Sequence, residues 1–161
     1  MTNLLKNPGF ELLPVKPPTR LVGNNPPAGK AGGSAADPWT VWNNNPGVTT
    51  TDILPSTRPG GGTHMLHVCT TGPLNGIVQQ FMPSTPHTMS SVWVFVLRGQ
   101  VGMGTGDAGN THPHDARSQH QGTWEQLPPS ANGVSPANEF IVYAISPEGA
   151  CYYVDGATVS P

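Results

Sequence analysis

The sequence predicts an all-β protein, a two-sheet antiparallel β-sandwich with long Pro- and Gly-rich loops, and three observations predict it. No window repeats apolar residues at i, i+3, i+4 and i+7. The 19 prolines and 20 glycines among 161 residues interrupt the chain too often for long helices. Short runs rich in β-branched and aromatic residues lie between clusters of Gly, Pro, Asn and Ser, the pattern of a sheet built from short strands. The length suits one domain over residues 1–161, since a chain of this size buries about 70% of the surface its unfolded form exposes.

In chain order, residues 12–62 read as a long, irregular, Pro-rich excursion holding nine of the 19 prolines, with Pro38-Trp39-Thr40-Val41-Trp42 docked on the body. Within it Val48 to Leu54 reads as a strand. The runs His64 to Thr70, Gly76 to Met82 and Thr88 to Arg98 follow as strands. Gly99 to Gly122 reads as a polar excursion rich in Gly and His, and Thr123 to Leu127, Glu139 to Ser146 and Ala150 to Val159 complete the sheets. Two strands are apolar on both faces. Thr88 to Arg98 alternates Trp93, Phe95, Leu97 with Val92, Val94, Val96, and Glu139 to Ser146 alternates Phe140, Val142, Ala144 with Ile141, Tyr143, Ile145. A sandwich buries only inner faces, so something must cover the second set: the Pro-rich arm, a ligand or another subunit.

Charge and hydropathy narrow the function classes. Seven scattered Lys and Arg against nine Asp and Glu form no basic stripe, which excludes nucleic acid as a partner held by phosphate contacts. The longest apolar run, Val92 to Leu97, is far short of the roughly 20 residues of a membrane-spanning helix, so no membrane insertion is expected. The first residues show no basic n-region and no long apolar h-region, hence no recognisable secretion signal. Two cysteines, Cys69 and Cys151, permit one disulfide, but the composition is not that of a disulfide-dense scaffold and points to free thiols.

Six short motifs then occur in a telling order: Asn7-Pro8-Gly9-Phe10-Glu11, Gly62-Thr63-His64-Met65-Leu66-His67-Val68, Ile77-Val78-Gln79-Gln80-Phe81, Met89-Ser90-Ser91-Val92-Trp93-Val94, Thr123-Trp124-Glu125-Gln126-Leu127, and Cys151-Tyr152-Tyr153-Val154-Asp155-Gly156-Ala157-Thr158-Val159. Across nearly the whole chain the series resembles carbohydrate-binding modules of the galactose-binding-like jelly-roll type. The resemblance implies two sheets of four or five strands with the chain ends side by side, and a structural calcium ion held by Glu11 and Asp155. Calcium takes six to eight hard oxygens, which two carboxylates and backbone carbonyls can begin to supply; ordinary strand-end carboxylates are the alternative. In that family Trp124 and Tyr152 occupy core positions. The fold alone does not select a ligand.

Candidate chemistry is sparse. His112, His114 and His120 lie in a Gly-rich stretch, and the His-x-His spacing suits zinc, yet Pro113 intervenes and no further ligand is evident, so a solvated loop competes with a metal-dependent hydrolase centre. No nucleophile elbow, His-Glu-x-x-His, paired acids or phosphate loop is present, so a non-enzyme is expected. A glycan site needs ring faces for sugar C–H surfaces and polar groups for hydroxyls. Trp42, Trp93 and Tyr143 are the candidate rings, with Gln79, Gln80, Asn43 and Asn44 as polar readers; core or interface packing competes for each. The leading expectation is a non-catalytic jelly-roll protein displayed on the surface of a bacteriophage-like virion. There it would be a capsid decoration or fibre-associated module that contacts other protein subunits through residues 12–62 and one apolar sheet face, or adheres to glycans. The alternative is a free-standing extracellular, calcium-stabilised lectin-like module.

Overall fold

All pairing between strands is antiparallel, and no helix occurs among the described residues. The computed structural model describes residues 2–11, 20–23, 30–34, 39–43, 46–107, 110–114, 116–131 and 136–161. Its strands are β1 (Arg20–Gly23), β2 (Lys30–Ser34), β3 (Thr40–Asn43), β4 (Thr49–Pro55), β5 (His64–Thr70), β6 (Asn75–Thr85), β7 (Met89–Arg98), β8 (Val101–Asp107), β9 (Asn110–His114), β10 (Ala116–Arg117), β11 (Trp124–Ala131), β12 (Ala137–Ala144) and β13 (Cys151–Ser160). One sheet has the order β1-β4-β5-β13-β7-β11, and the other β10-β8-β12-β6-β3-β2 with β9 paired to β8. The two-sheet sandwich read from the sequence is therefore the fold.

The core fills the space between the sheets. Val92, Val94 and Val96 of β7, Leu66 and Val68 of β5, and Tyr152 and Val154 of β13 face Ile77 and Phe81 of β6, Phe140, Val142 and Ala144 of β12, and Met103 of β8. Burying each such side chain contributes about 1.5–3 kcal/mol relative to leaving it in water. Tyr152 is the one phenol in this set. Its hydroxyl donates to the Val142 carbonyl at 3.1 Å, and burial pushes its pKa up.

The N-terminal segment runs against the last strand without joining a sheet. Leu4 N donates to the Val159 carbonyl at 2.7 Å and Ala157 N to the Pro8 carbonyl at 3.0 Å, while Asn3 Oδ1 accepts from Val159 N at 3.0 Å. The Asn7-to-Phe10 turn, with both residues at positive φ (46° and 58°), drives Phe10 into the core beside Trp39, their ring centroids 5.3 Å apart. The chain ends thus meet, as the end motifs predicted, through a capped turn rather than a first strand.

Three expectations need correction. Residues 12–62 hold four strands where one was expected; β1, β2 and β3 are four or five residues long and pair with β4, β3 and β6, and the Trp39 and Trp42 side chains around β3 are buried, as the docked Pro38–Trp42 segment predicted. Gly99 to Gly122 likewise holds β8, β9 and β10. In β8, Val101, Met103 and Thr105 point into the sandwich while Gly102, Gly104 and Gly106, also buried, alternate onto the strand's other face, and a β-carbon on Gly102 would lie 2.9 Å from the Tyr143 ring. Glycine there makes room for Tyr143, which conceals the strand from propensity. Finally, Cys69 and Cys151 form a disulfide, because the antiparallel register of β5 and β13 sets them directly opposite each other with Cα atoms 4.1 Å apart.

Candidate functional site

Alternation along β7 decides which aromatic rings are available. With Val92, Val94 and Val96 turned into the core, the period of two sends Trp93, Phe95 and Leu97 to the outer face of the six-stranded sheet. Register then extends Phe95 into a row. Trp124 of β11 pairs with Phe95, Phe95 with Tyr153 of β13, Tyr153 with His67 of β5, and His67 with Asp52 of β4. The ring centroids follow one another at 5.8, 5.7 and 5.2 Å, close to the strand spacing that generates them. Trp124, Phe95, Tyr153 and His67 are each half-buried, packed on one another while keeping part of each ring toward solvent. Polar groups flank the row. Trp124 Nε1 donates to Thr57 Oγ1 at 3.3 Å, His67 Nδ1 lies 3.9 Å from Asp52 Oδ2, and the exposed Gln126 donates through Nε2 to Ser91 Oγ at 3.2 Å.

Of the rings singled out in the sequence, Trp93 shares this face, and Trp42 and Tyr143 lie elsewhere. Trp42 and Tyr143 meet edge to face at 6.3 Å on the outer face of the other sheet, in a cluster with Val78 and Ile141, and only 2% and 3% of their surfaces remain exposed. The register places Gly76 between them and Gly102 beyond Tyr143, where a β-carbon on Gly102 would meet the Tyr143 ring. Neither presents an open face to a sugar. Ile141 and Tyr143 are covered within the single chain, so they are not the open surface expected for a neighbouring subunit. Trp93 is half-buried beneath the Arg58 guanidinium, whose Cζ lies 5.4 Å from the ring centre.

The proposed polar readers have structural work as well. Gln79, buried on the inner face of β6, accepts from Lys6 N at 2.6 Å and donates to the Lys6 carbonyl at 2.8 Å, clamping the N-terminal segment. Gln80 is exposed and donates to Glu139 Oε1 at 3.2 Å, and Asn43 accepts from Thr49 Oγ1 at 2.7 Å. Asn44 lies outside the described residues. So do the side chains of His112 and His114 on β9, where His112 pairs with Thr105 of β8. His120 is exposed, with Nδ1 3.1 Å from Glu125 Oε2. It borders a polar cleft of about 210 Å³ lined by Gly99, Gln100, Ser118, Gln119 and Gln121, two of whose amides are committed to backbone carbonyls inside it.

Glu11 and Asp155 flank one glycine: a β-carbon on Gly9 would lie 3.4 Å from Asp155 Oδ1 and 3.8 Å from Glu11 Oε1. Asp155 is 1% exposed, and its Oδ2 accepts from Arg58 Nε at 2.8 Å and Ser56 Oγ at 3.3 Å. Glu11 is exposed and accepts from the Thr63 hydroxyl and from His64 N at 3.2 Å; the Thr63 bond is the main reason its pKa lies below the ordinary value. Among the described residues no three His, Cys, Asp or Glu gather to hold a metal ion.

Comparison with known proteins is informative at the level of fold. The chain matches no protein-family model and no curated protein sequence. Among solved structures it is similar to TmCBM61 in complex with β-1,4-galactotriose, at 15% identity and TM-score 0.60, covering 99% of each chain. It is also similar to the CBM22-1 xylan-binding domain of Paenibacillus barcinonensis Xyn10C, at 15% identity and TM-score 0.54, covering 86% of this chain and 91% of that one. The tailspike protein 4 enzymatically active domain of bacteriophage CBA120 matches 98% of this chain with 21% of its own, at 8% identity and TM-score 0.53. The protein has the jelly-roll fold of carbohydrate-binding modules.

Trp124 is the instructive miss. The sequence assigned it, with Tyr152, to the core. Tyr152 is there, but Trp124 begins edge strand β11 in register with outward-facing Phe95. The signal was present in β7, where Trp93 and Phe95 share one face; the missing information was which face points outward.

Proposed function

We propose that this protein binds glycans without catalysing their conversion, along the row formed by Trp124, Phe95, Tyr153 and His67. The carrying observation is that four half-open rings stand in one cross-strand register on an outer sheet face, with amide, hydroxyl and carboxylate groups beside them. Rings offer apolar faces to sugar C–H surfaces, and Gln126, Thr57 and Asp52 supply the directional bonds that hydroxyls need. The fold supports the reading, because proteins that share it are described with a galactotriose and as a xylan-binding domain. Affinity electrophoresis through gels containing galactan, xylan or mixed-linkage β-glucan tests it. Wild type is expected to be retarded by at least one polymer. Trp124→Ala and Tyr153→Ala are expected to weaken retardation about tenfold, equivalent to ~1.4 kcal/mol, while keeping a cooperative melt. Free migration in all three gels, or variants retarded like wild type, would overturn it.

A second reading is favoured by one further observation. The outer line of β7 continues to Met89 and Leu97, 40% and 43% exposed, and nearly the whole chain superposes on a segment of a phage tailspike. This supports display on a bacteriophage-like virion, where other protein subunits would cover the ends of that line. Fractionation of native material distinguishes the two: particle-bound chain supports display, and free monomer counts against it.

A further inference from the structure

The fold resemblance implies calcium between Glu11 and Asp155, and the chemistry of this corner argues otherwise. Calcium needs six to eight oxygens with lone pairs free to face it. Here protons already point at the carboxylates: Arg58 and Ser56 donate to Asp155 Oδ2, while Thr63 and the His64 backbone donate to Glu11. Asp155 Oδ1 has no hydrogen-bond partner among the described residues, and one oxygen is not a coordination shell. The residues present do not fit the ion.

We propose that the Arg58 guanidinium is the resident cation of this corner, so that the chain ties the 56–63 loop to its last strand with an internal charge and without metal. The surroundings are shaped for it. The Arg58 carbonyl accepts from Gly61 N at 2.9 Å, and Ser56 Oγ accepts from Arg58 N at 3.2 Å, fixing the turn that delivers the side chain. Three glycines leave the slot open. A β-carbon on Gly61 would lie 2.7 Å from Asp155 Oδ2, and one on Gly62 would overlap Glu11 Oε1. Gly156, at φ +56°, bends β13 immediately after Asp155, where a β-carbon would come within 3.1 Å of Arg58 Nη2. Arg58 also lies over the Trp93 ring, and only 14% of its side chain is exposed. A guanidinium suits this place because an N–H at its edge donates to a carboxylate while its flat face can lie over an indole. Asp155 follows directly on Val154, which pairs with Leu66 of β5 and Val94 of β7, and precedes Ala157, which holds Pro8. Neutralising it therefore secures the N-terminal turn, β13 and the 56–63 loop together.

This inference is independent of glycan binding, and its test reads stability. Wild-type protein is melted with excess chelator and again with millimolar calcium, beside Arg58→Gln treated in the same way. The expected result is one melting temperature for wild type in both conditions and a fall of several degrees in Arg58→Gln. A wild type that loses stability in chelator and regains it with calcium would overturn the proposal. So would an Arg58→Gln that melts like wild type. If Arg58→Gln does not fold, the wild-type comparison decides alone: equal melts uphold the internal cation and unequal melts reject it.

Discussion

Replacing both Cys69 and Cys151 by Ala removes the bond that fastens β13 to β5, the two strands carrying Tyr153 and His67 of the aromatic row. The cysteines are 82 residues apart, and closing a loop of that size in the unfolded chain is worth ~4.5 kcal/mol in the chain-entropy account. Measured values usually fall lower, at about 2–4 kcal/mol. For a domain of this size each kcal/mol moves the midpoint by about 2–4 °C, so the double variant is expected to melt roughly 4 to 16 °C lower. Differential scanning fluorimetry on wild type, on wild type with reductant and on the double variant supplies the comparison. The two perturbed samples are expected to agree with each other. Wild type and double variant melting within about 2 °C of each other would refute the reasoning, as would intact mass showing two free thiols in protein never exposed to reductant.

Gln79→Ala leaves the Lys6 N–H and carbonyl without their clamp; the expected loss is about 1–3 kcal/mol, read as a lower denaturant midpoint at unchanged m-value, and an unmoved midpoint would show that the N-terminal segment is held by other contacts. Glu11 predicts an acid dependence: its carboxylate is held below its ordinary 4.5 chiefly by the Thr63 hydroxyl, so its contribution is fully present above that value and disappears as pH falls through the lower folded one. Melting temperatures from about pH 6 to about pH 3 should therefore fall less steeply in Glu11→Gln than in wild type, and parallel curves would count against the Thr63–Glu11 bond.

Strands with a strong local signal were legible in the sequence, and those whose order comes from a partner were not. His64 to Thr70 is a strand with the boundaries its β-branched and apolar residues suggest, and β4, β6, β7, β11, β12 and β13 each appear within a few residues of their runs. By contrast β3 is four residues beside β6, and β8 hides behind alternating glycines whose purpose, room for Tyr143, exists only once β12 is paired to it. Two of the three candidate rings, Trp42 and Tyr143, are covered for a related reason. Both β7 and β12 are apolar on two faces, and local sequence does not say which second face the chain covers for itself. The structure covers Ile141 and Tyr143 and leaves Trp93, Phe95 and Tyr153 half-buried, so of the three candidate rings Trp93 alone lies on the partly open face. The Arg58–Asp155 pair, 97 residues apart in the chain, has no local signature at all.

The four tryptophans divide so that one spectrum tests the central claim. Trp39 and Trp42 are buried, the first donating through Nε1 to the Asn7 carbonyl at 3.1 Å, whereas Trp124 belongs to the row and Trp93 lies beside it. In a 1H–15N correlation spectrum each indole N–H gives a separate signal, assigned by single Trp→Phe variants, and the protein is titrated with oligosaccharides of galactan, xylan and mixed-linkage β-glucan. Binding along the row predicts a saturable shift of the Trp124 indole, with a smaller shift of Trp93, while Trp39 and Trp42 stay in place. A spectrum in which no indole moves with any of the three, or in which Trp42 moves and Trp124 does not, would contradict it.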